Sequence, residues 1–269
     1  MEEQLVISII TPTYNSELFI EDTLKSISSQ TYENVEHIVV DNFSTDRTEA
    51  ICRKYKNTFI QKKDSGMYEA LNTGIEKSNG HYLMFINSDD LLAESNTIEK
   101  IVAELKKNNR PGVLYGKTIM VNEVAKYIYT HMPKKEMNYD VAKKRILVII
   151  HQSQVIARSM FEEHGLYDIS LKNMADCEFI LRLLKSGASF KYFDTALSKF
   201  RRHAGNISDA AKLSGRKKTE ISYIIKKHSI EDVSYSSVHR YFILDGMLNI
   251  KYVKFIISRF IRNMLKSGN

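Results

Sequence analysis

The chain has 269 residues, 43% hydrophobic and 26% charged, which is enough apolar material for one large domain with a smaller C-terminal extension. A formal net charge of +7 points to an anionic partner: a nucleotide, a nucleic acid or a membrane surface. Two lone cysteines, Cys52 and Cys177, exclude a disulfide framework and a cysteine-built zinc site, and fit small buried residues in a reducing compartment.

Leu5 to Thr11, LVISIIT, is rich in β-branched apolar residues and reads as a buried strand ending at Pro12. Apolar Leu18, Phe19, Leu24 and Ile27 then mark a helix over 18–30, and VEHIVVD (35–41) is a second strand. A helix over 45–55 follows, with Ser44 or Thr45 as its N-cap. Residues 58–61 form a short strand, and 67–77 a helix with Ala70, Leu71, Gly74 and Ile75 inward. Residues 82–86 read as a strand, 97–107 as a helix, and 113–115 as the start of another strand. The segment 117–145 is polar and has no clear period; MADCEFILRLLK (174–185) is an amphipathic helix, and from Asn206 the chain is helical and basic.

The first half thus alternates strand and helix, which predicts an α/β fold with a mainly parallel sheet between helices. Such sheets bind ligands at the carboxyl ends of their strands. The informative loops are then those after Thr11, Asp41, Gln61 and Ile86. In the first, Thr11, Pro12, Tyr14 and Asn15 offer ligand-bonding groups. In the second, Asp41 can accept from a base or ribose donor, with Ser44 and Asp46 beside it. Taken alone, each loop is equally a turn with a capping Ser or Asp. No GxGxxG or GxxxxGK[ST] is present, which argues against dinucleotide dehydrogenases and P-loop NTPases. A nucleotide diphosphate here needs another counter-charge, and a divalent metal on carboxylates is the usual one. INSDD (86–90) sits where that metal would be, with Asp89 and Asp90 as its candidate ligands. Adjacent extended residues point opposite ways, so one faces the ligand and the other holds the loop.

TPTYNS, VDNFSTDRT, DSGMYEALNTG and INSDD, in this order and spacing, resemble the family 2 glycosyltransferases of bacterial cell-envelope polysaccharide synthesis. The resemblance covers roughly residues 4–205. It implies a GT-A fold: a Rossmann-like catalytic domain over 1–205, with a nucleotide-sugar half (1–116) and an acceptor half (117–205), then a helical basic region over 206–269. It implies nucleotide-sugar contacts from Thr11, Pro12, Tyr14, Asn15, Asp41, Ser44, Asp64, Gly66, Asn72, Asn87 and Ser88. Asn87-Ser88-Asp89 takes the place of the family's DxD metal motif, with Asn for the first Asp. Ile150-His151-Gln152-Ser153 resembles a segment near the acceptor pocket, and Gly165-Leu166-Tyr167-Asp168 the element after it. Asp176 matches the catalytic base, with Glu178 as its neighbour on the acceptor side. Arg202 and His203, followed by Gly205-Asn206, resemble a segment whose His approaches metal or diphosphate, and Arg201 adds a second cation there.

The resemblance therefore implies an inverting, metal-dependent hexosyltransferase using Mn2+ or Mg2+ and a nucleotide sugar, with UDP-sugar the expected donor. The implied acceptor is a saccharide or a polyprenyl-diphosphate-linked saccharide. The alternative is a non-catalytic nucleotide-sugar-binding or scaffolding module at the membrane. IKYVKFIISRFIRNML (250–265) resembles a basic interfacial helix for an anionic membrane; packing on this domain or in a homodimer explains it equally. The N-terminal MEEQ is acidic and runs straight into a strand, and no apolar run is long enough to span a bilayer. The expected location is cytoplasmic, or peripheral on the inner face of the cell membrane. Basic residues do not alternate with aromatics in a recognised module, so nucleic acid is not an expected partner.

Overall fold

The computed structural model describes residues 4–145, 149–203, 205–206 and 210–231. In chain order the elements are β1 (Ile7–Thr13), α1 (Ile20–Ser28), β2 (Val35–Asp41), α2 (Thr48–Cys52), β3 (Thr58–Gln61) and α3 (Met67–Lys77). Then come β4 (Tyr82–Phe85), β5 (Leu91–Leu92), α4 (Thr97–Lys107), β6 (Val113–Val121), β7 (Tyr127–His131), α5 (Tyr139–Arg145), β8 (Gln154–Ala157) and α6 (Arg158–His164). The last are α7 (Ala175–Lys185), β9 (Phe190–Arg201) and α8 (Ala210–Lys227). The interfacial helix expected at 250–265 lies outside the described residues. Among those described, no helix is long and apolar enough to cross a membrane.

The strands form one sheet in the order β3-β2-β1-β4-β8-β6-β9-β5, with β7 added to β6. The pairs β2–β3, β1–β2, β1–β4 and β6–β9 are parallel, and β8 runs against both β4 and β6. Successive side chains go to opposite faces. On β1 and β4, Ile10, Leu83 and Phe85 pack with α3, α6, α7 and α8, while Ile7, Ile9, Met84 and Ile86 pack with α1 and α4. Helix α3 lies so close to β1 that a Cβ on Gly74 would stand 2.3 Å from Ile10 Cγ2.

Two expectations need correction. The first strand does not stop at Pro12: it continues to Thr13, with Pro12 opposite Val40. Only the pairing with β4 has ended there, after Ile10 opposite Phe85 and a bond from Ile86 N–H to Ile10 O. The second helix begins at Thr48, because Ser44 is engaged by Asp41, and Asp46 Oδ1 instead caps the Thr48 N–H at 2.9 Å. Helix α8 packs on the preceding domain: Ile221 and Ile224 are buried in the same core as α7, and Glu220 accepts the N–H groups of Lys172 and Asn173 just ahead of α7.

The polar segment after residue 116 hides strands of the same sheet, and a buried cation ties this half to the first. Arg201, at the end of β9, is 2% exposed. Its Nε donates to Asp89 O (2.9 Å), Nη1 to Glu123 O (2.6 Å) and Nη2 to Asp22 Oδ2 (2.8 Å), and its guanidinium lies over the Phe19 ring. Its own N–H donates to Asp90 Oδ1 (2.8 Å).

Two predictions follow from this packing. Arg201→Met removes the donor shared by Asp89 O, Glu123 O and Asp22 Oδ2 and should cost about 2 kcal/mol in urea unfolding. The second concerns His37, buried in β2 against Thr11 Oγ1 (3.1 Å), whose imidazole burial pushes down to about 4. The unfolded chain takes up this proton from about pH 6.5 downward and the folded chain does not, so stability is lost as pH falls toward 4. Between about pH 7.5 and 5 the loss attributable to His37 should be about 2 kcal/mol, and His37→Gln should flatten that part of the profile.

Candidate active site

The four strand-end loops are bonded to one another. Asn15 has a left-handed backbone (φ 46°); its N–H donates to Ser44 Oγ (2.8 Å) and its Oδ1 accepts Thr45 N–H (2.8 Å). Asn42 Oδ1 accepts Asp64 N–H (3.1 Å), which joins the third loop to the second. Ser16 and Ser88 pair their hydroxyls at 2.8 Å, which joins the first to INSDD. Asp64 Oδ1 accepts Gly66 N–H, and burial raises its carboxyl above the usual range. Gly66, with φ 149°, occupies a conformation that side chains avoid as the chain enters α3.

Several expected ligand residues face inward. Thr11 is fully buried against His37, and Pro12 lies within the strand. Asp41 is 0% exposed: Ser44 donates to both its oxygens and Gln61 Nε2 to one of them, so it builds the loop rather than meeting a base. The Asn72 amide exchanges two bonds with the backbone of Tyr167, clamping α3 to the segment before α7. By contrast Tyr14 and Asn15 stand at the surface. Thr13 Oγ1 is buried at the end of β1 with no partner in the fold.

At INSDD the chain is not extended but turns, closed by Asp90 N–H donating to Asn87 O at 3.0 Å, and the two carboxylates part. Asp90 is buried, accepting Arg201 N–H and Gln152 Nε2 (2.7 Å). Burial, then the charge of Asp89, pushes its carboxyl well above the usual range. It therefore holds the loop and is not placed to bind a metal, and Gln152 serves it rather than an acceptor. Asp89 turns outward, and its Oδ2 lies 2.8 Å from His203 Nε2 and 3.1 Å from Asn206 Nδ2. Asn87 Oδ1 is buried without a partner. Carboxylate, imidazole nitrogen and an unsatisfied amide oxygen fit a divalent cation of the Mn2+ type, with ligand phosphates completing its shell. Among the described residues no three His, Cys, Asp or Glu converge, so such a cation would depend on those further oxygens. Arg201, expected to face an anion, is internal; Arg202 donates its N–H to Val121 O and lies 6.0 Å from the Phe200 ring.

At the start of α7, Asp176 and Glu178 differ in burial and in their partners. Glu178 is 0% exposed and bonded to Arg182 and His228, with Lys227 at 3.2 Å; with burial outweighed by these partners, its carboxyl falls to about 2. It fastens α7 to the end of α8 and cannot meet an acceptor. Asp176 is half-buried, and Oδ1 accepts the hydroxyl of Tyr68 at 2.6 Å. Burial and the Asp176 charge hold the Tyr68 phenol well above its usual range, so it keeps its proton and donates. His151 is buried beneath, stacked on Phe85 and bonded to the Tyr167 hydroxyl. Tyr68 and Thr13 were not picked out from the sequence, and Asn206 entered only as the tail of the Arg202-His203 segment. Tyr68 lay inside the quoted DSGMYEALNTG, but only the fold brings it to a residue 108 positions away.

The sequence profile of glycosyl transferase family 2 matches residues 8–165. An uncharacterized glycosyltransferase of Rickettsia typhi is 28% identical over 214 residues, spanning 77% of this chain and 67% of its own length. Among solved structures, S. aureus TarS 1-349 in complex with UDP-GlcNAc is similar at a TM-score of 0.64 and 20% identity, over 75% of this chain and 60% of that one. A mannosyltransferase from Pyrobaculum calidifontis in complex with GDP-Man and Mn2+ has a TM-score of 0.63 at 16% identity, over 99% of this chain and 80% of that one. The chain thus spans under two thirds of the TarS structure, and these likenesses carry the fold. With more than half of its length inside the family profile and a GT-A fold, the chain belongs to glycosyl transferase family 2.

Proposed function

We propose that this glycosyltransferase moves a hexose from a UDP-sugar to a saccharide or lipid-diphosphate-linked saccharide in envelope polysaccharide synthesis, with inversion at the anomeric carbon. The observation that carries the reading is the meeting of Asp89 and His203, 114 residues apart in sequence, at 2.8 Å, with Asn87 Oδ1, two residues before Asp89 in the same turn, buried and unpartnered. A buried amide oxygen without a partner in the fold has capacity to accept a ligand. UDP-GlcNAc in the TarS structure and GDP-Man with Mn2+ in the mannosyltransferase support a nucleotide-sugar donor and a divalent cation at a site of this fold. A cation held by Asp89 and His203 with Asn87 would neutralise the charge of the leaving diphosphate.

Asp176 then acts as general base. Tyr68 fixes one carboxylate oxygen, so the other takes the proton of the acceptor hydroxyl as that oxygen attacks the sugar from the face opposite the diphosphate. Tyr68 is a positioning residue in this scheme. The acceptor's position on a lipid carrier would put the enzyme at the inner face of the membrane, in keeping with its net charge of +7.

The test is release of UDP from a panel of UDP-sugars with and without Mn2+ or Mg2+. Turnover should require the metal, and Asp89→Ala should abolish it. Asp176→Asn should keep donor affinity and lower transfer by about 100-fold or more. Tyr68→Phe should lower kcat by about tenfold with donor KM unchanged. Binding of UDP-sugars with no metal-dependent turnover by the wild-type chain would favour the non-catalytic module instead.

A further inference from the structure

Helix α8 has six basic residues and one acidic one, Glu220. Glu220 is buried and accepts the N–H groups of Lys172 and Asn173, which sets α8 against the chain just ahead of α7. Positions 217, 220, 221 and 224 share one helix face, at i, i+3, i+4 and i+7. Burial follows that face: Glu220, Ile221 and Ile224 are buried and Lys217 is half-buried, while Arg216, Lys218 and Thr219 are exposed. Lys217 thus lies one turn before Glu220 and faces the start of α7, where the charges of Cys177 and Asp176 act on it.

Burial pushes the Lys217 ammonium below its usual range, and Cys177 and Asp176 pull it back, so this cation is both near the carboxylate and partly stripped of water. Lys172, whose N–H Glu220 holds, reaches the other way and donates to Ser65 Oγ at 3.0 Å, next to Gly66. Two ammonium groups therefore flank the side from which an acceptor must approach Asp176. Tyr68 already orients that carboxylate, and a neutral saccharide hydroxyl would ask for nothing more. An anionic acceptor would: Asp176 repels it, and a partly dehydrated cation close by offsets the repulsion.

We propose that Lys217 receives a phosphate group carried by the acceptor beside its attacking hydroxyl, so that the enzyme takes a phosphorylated saccharide in preference to a neutral one. An ammonium is a compact point charge, and its bond to a phosphate oxygen is charge-assisted. A soluble sugar ester and a lipid-linked saccharide offer the same phosphate oxygens. The assignment rests on the reading of Asp176 as the base.

Calorimetric titration of the full chain, saturated with UDP and Mg2+, with glucose 1-phosphate and with methyl glucoside tests it. The wild type should bind the phosphate ester about tenfold or more tighter than the glycoside. Lys217→Met should remove that difference and leave glycoside binding unchanged, and Lys217→Arg should retain it. Equal wild-type affinity for the two sugars overturns the assignment, as does an undiminished preference in Lys217→Met. An equal loss of both sugars in Lys217→Met marks a structural lysine and overturns it as well. Phosphatidylcholine vesicles with and without a polyprenyl phosphate distinguish the two sources: Lys217-dependent binding there places the phosphate on a lipid carrier, and its absence beside an intact sugar-phosphate preference places it on a soluble ester. A wild-type chain that does not bind UDP overturns the nucleotide-sugar reading, and transfer indifferent to Asp176→Asn overturns the base. Asp176-dependent transfer with no phosphate preference overturns the Lys217 role alone.

Discussion

A guanidinium cannot be deprotonated in a protein, and once buried its donors must all find acceptors. Arg201 meets that demand by gathering parts far apart in the chain: the backbone of Asp89, the turn after β6 at Glu123, and Asp22 on α1. Because its backbone N–H holds Asp90 at the same time, the INSDD turn is gripped from both sides. Asp89 is left as the carboxylate that can turn outward, and His203, two residues beyond Arg201, is delivered to it. The orientation of the metal candidate thus follows from satisfying a charge that never touches a ligand.

The other end of the site is held in a comparable way. Glu178 is buried among Arg182, Lys227 and His228, and Glu220 closes over the N–H groups ahead of α7. Helix α8 therefore braces the first turn of α7, where Asp176 stands. A carboxylate two residues from the proposed base looks like chemistry in the sequence and is a fastening in the fold. Lys227 also pairs with Asp168 at 2.7 Å, so one lysine bridges the GLYD segment and α7.

The first half of the chain was legible because its signals are local. Strands 35–41 and 58–61 and helices 67–77 and 97–107 stand where hydrophobic period and turn residues put them. Strands β7 and β9 were missed because their faces are partly exposed, which blurs the alternation, and β8 because it is four buried residues long and pairs only with distant strands. Val113 pairs with Ile156 on one side and Phe190 on the other, and no window of sequence contains that. Site residues divided along the same line. Asp89 and His203 could be named from residue type and motif. Asp41, Asn72, Gln152 and Glu178 have equally polar side chains, but only the fold reveals that each points inward to a waiting partner.

Pro12 bears on the shape of the whole crevice. In a strand, the N–H and C=O of one residue point to the same side, and the side alternates along the chain. Ile10 O accepts Ile86 N–H from β4, so position 12 also faces β4, while Thr13 O faces β2 through Asn42. The next rung between β1 and β4 would need an N–H at residue 12, and proline has none. The sheet unzips there and nowhere else along β1, between the strands where the chain reverses its direction of travel across the sheet. Pro12 is in effect a wedge: by withholding one proton it keeps two neighbouring strands parted, and the gap so made admits the INSDD turn.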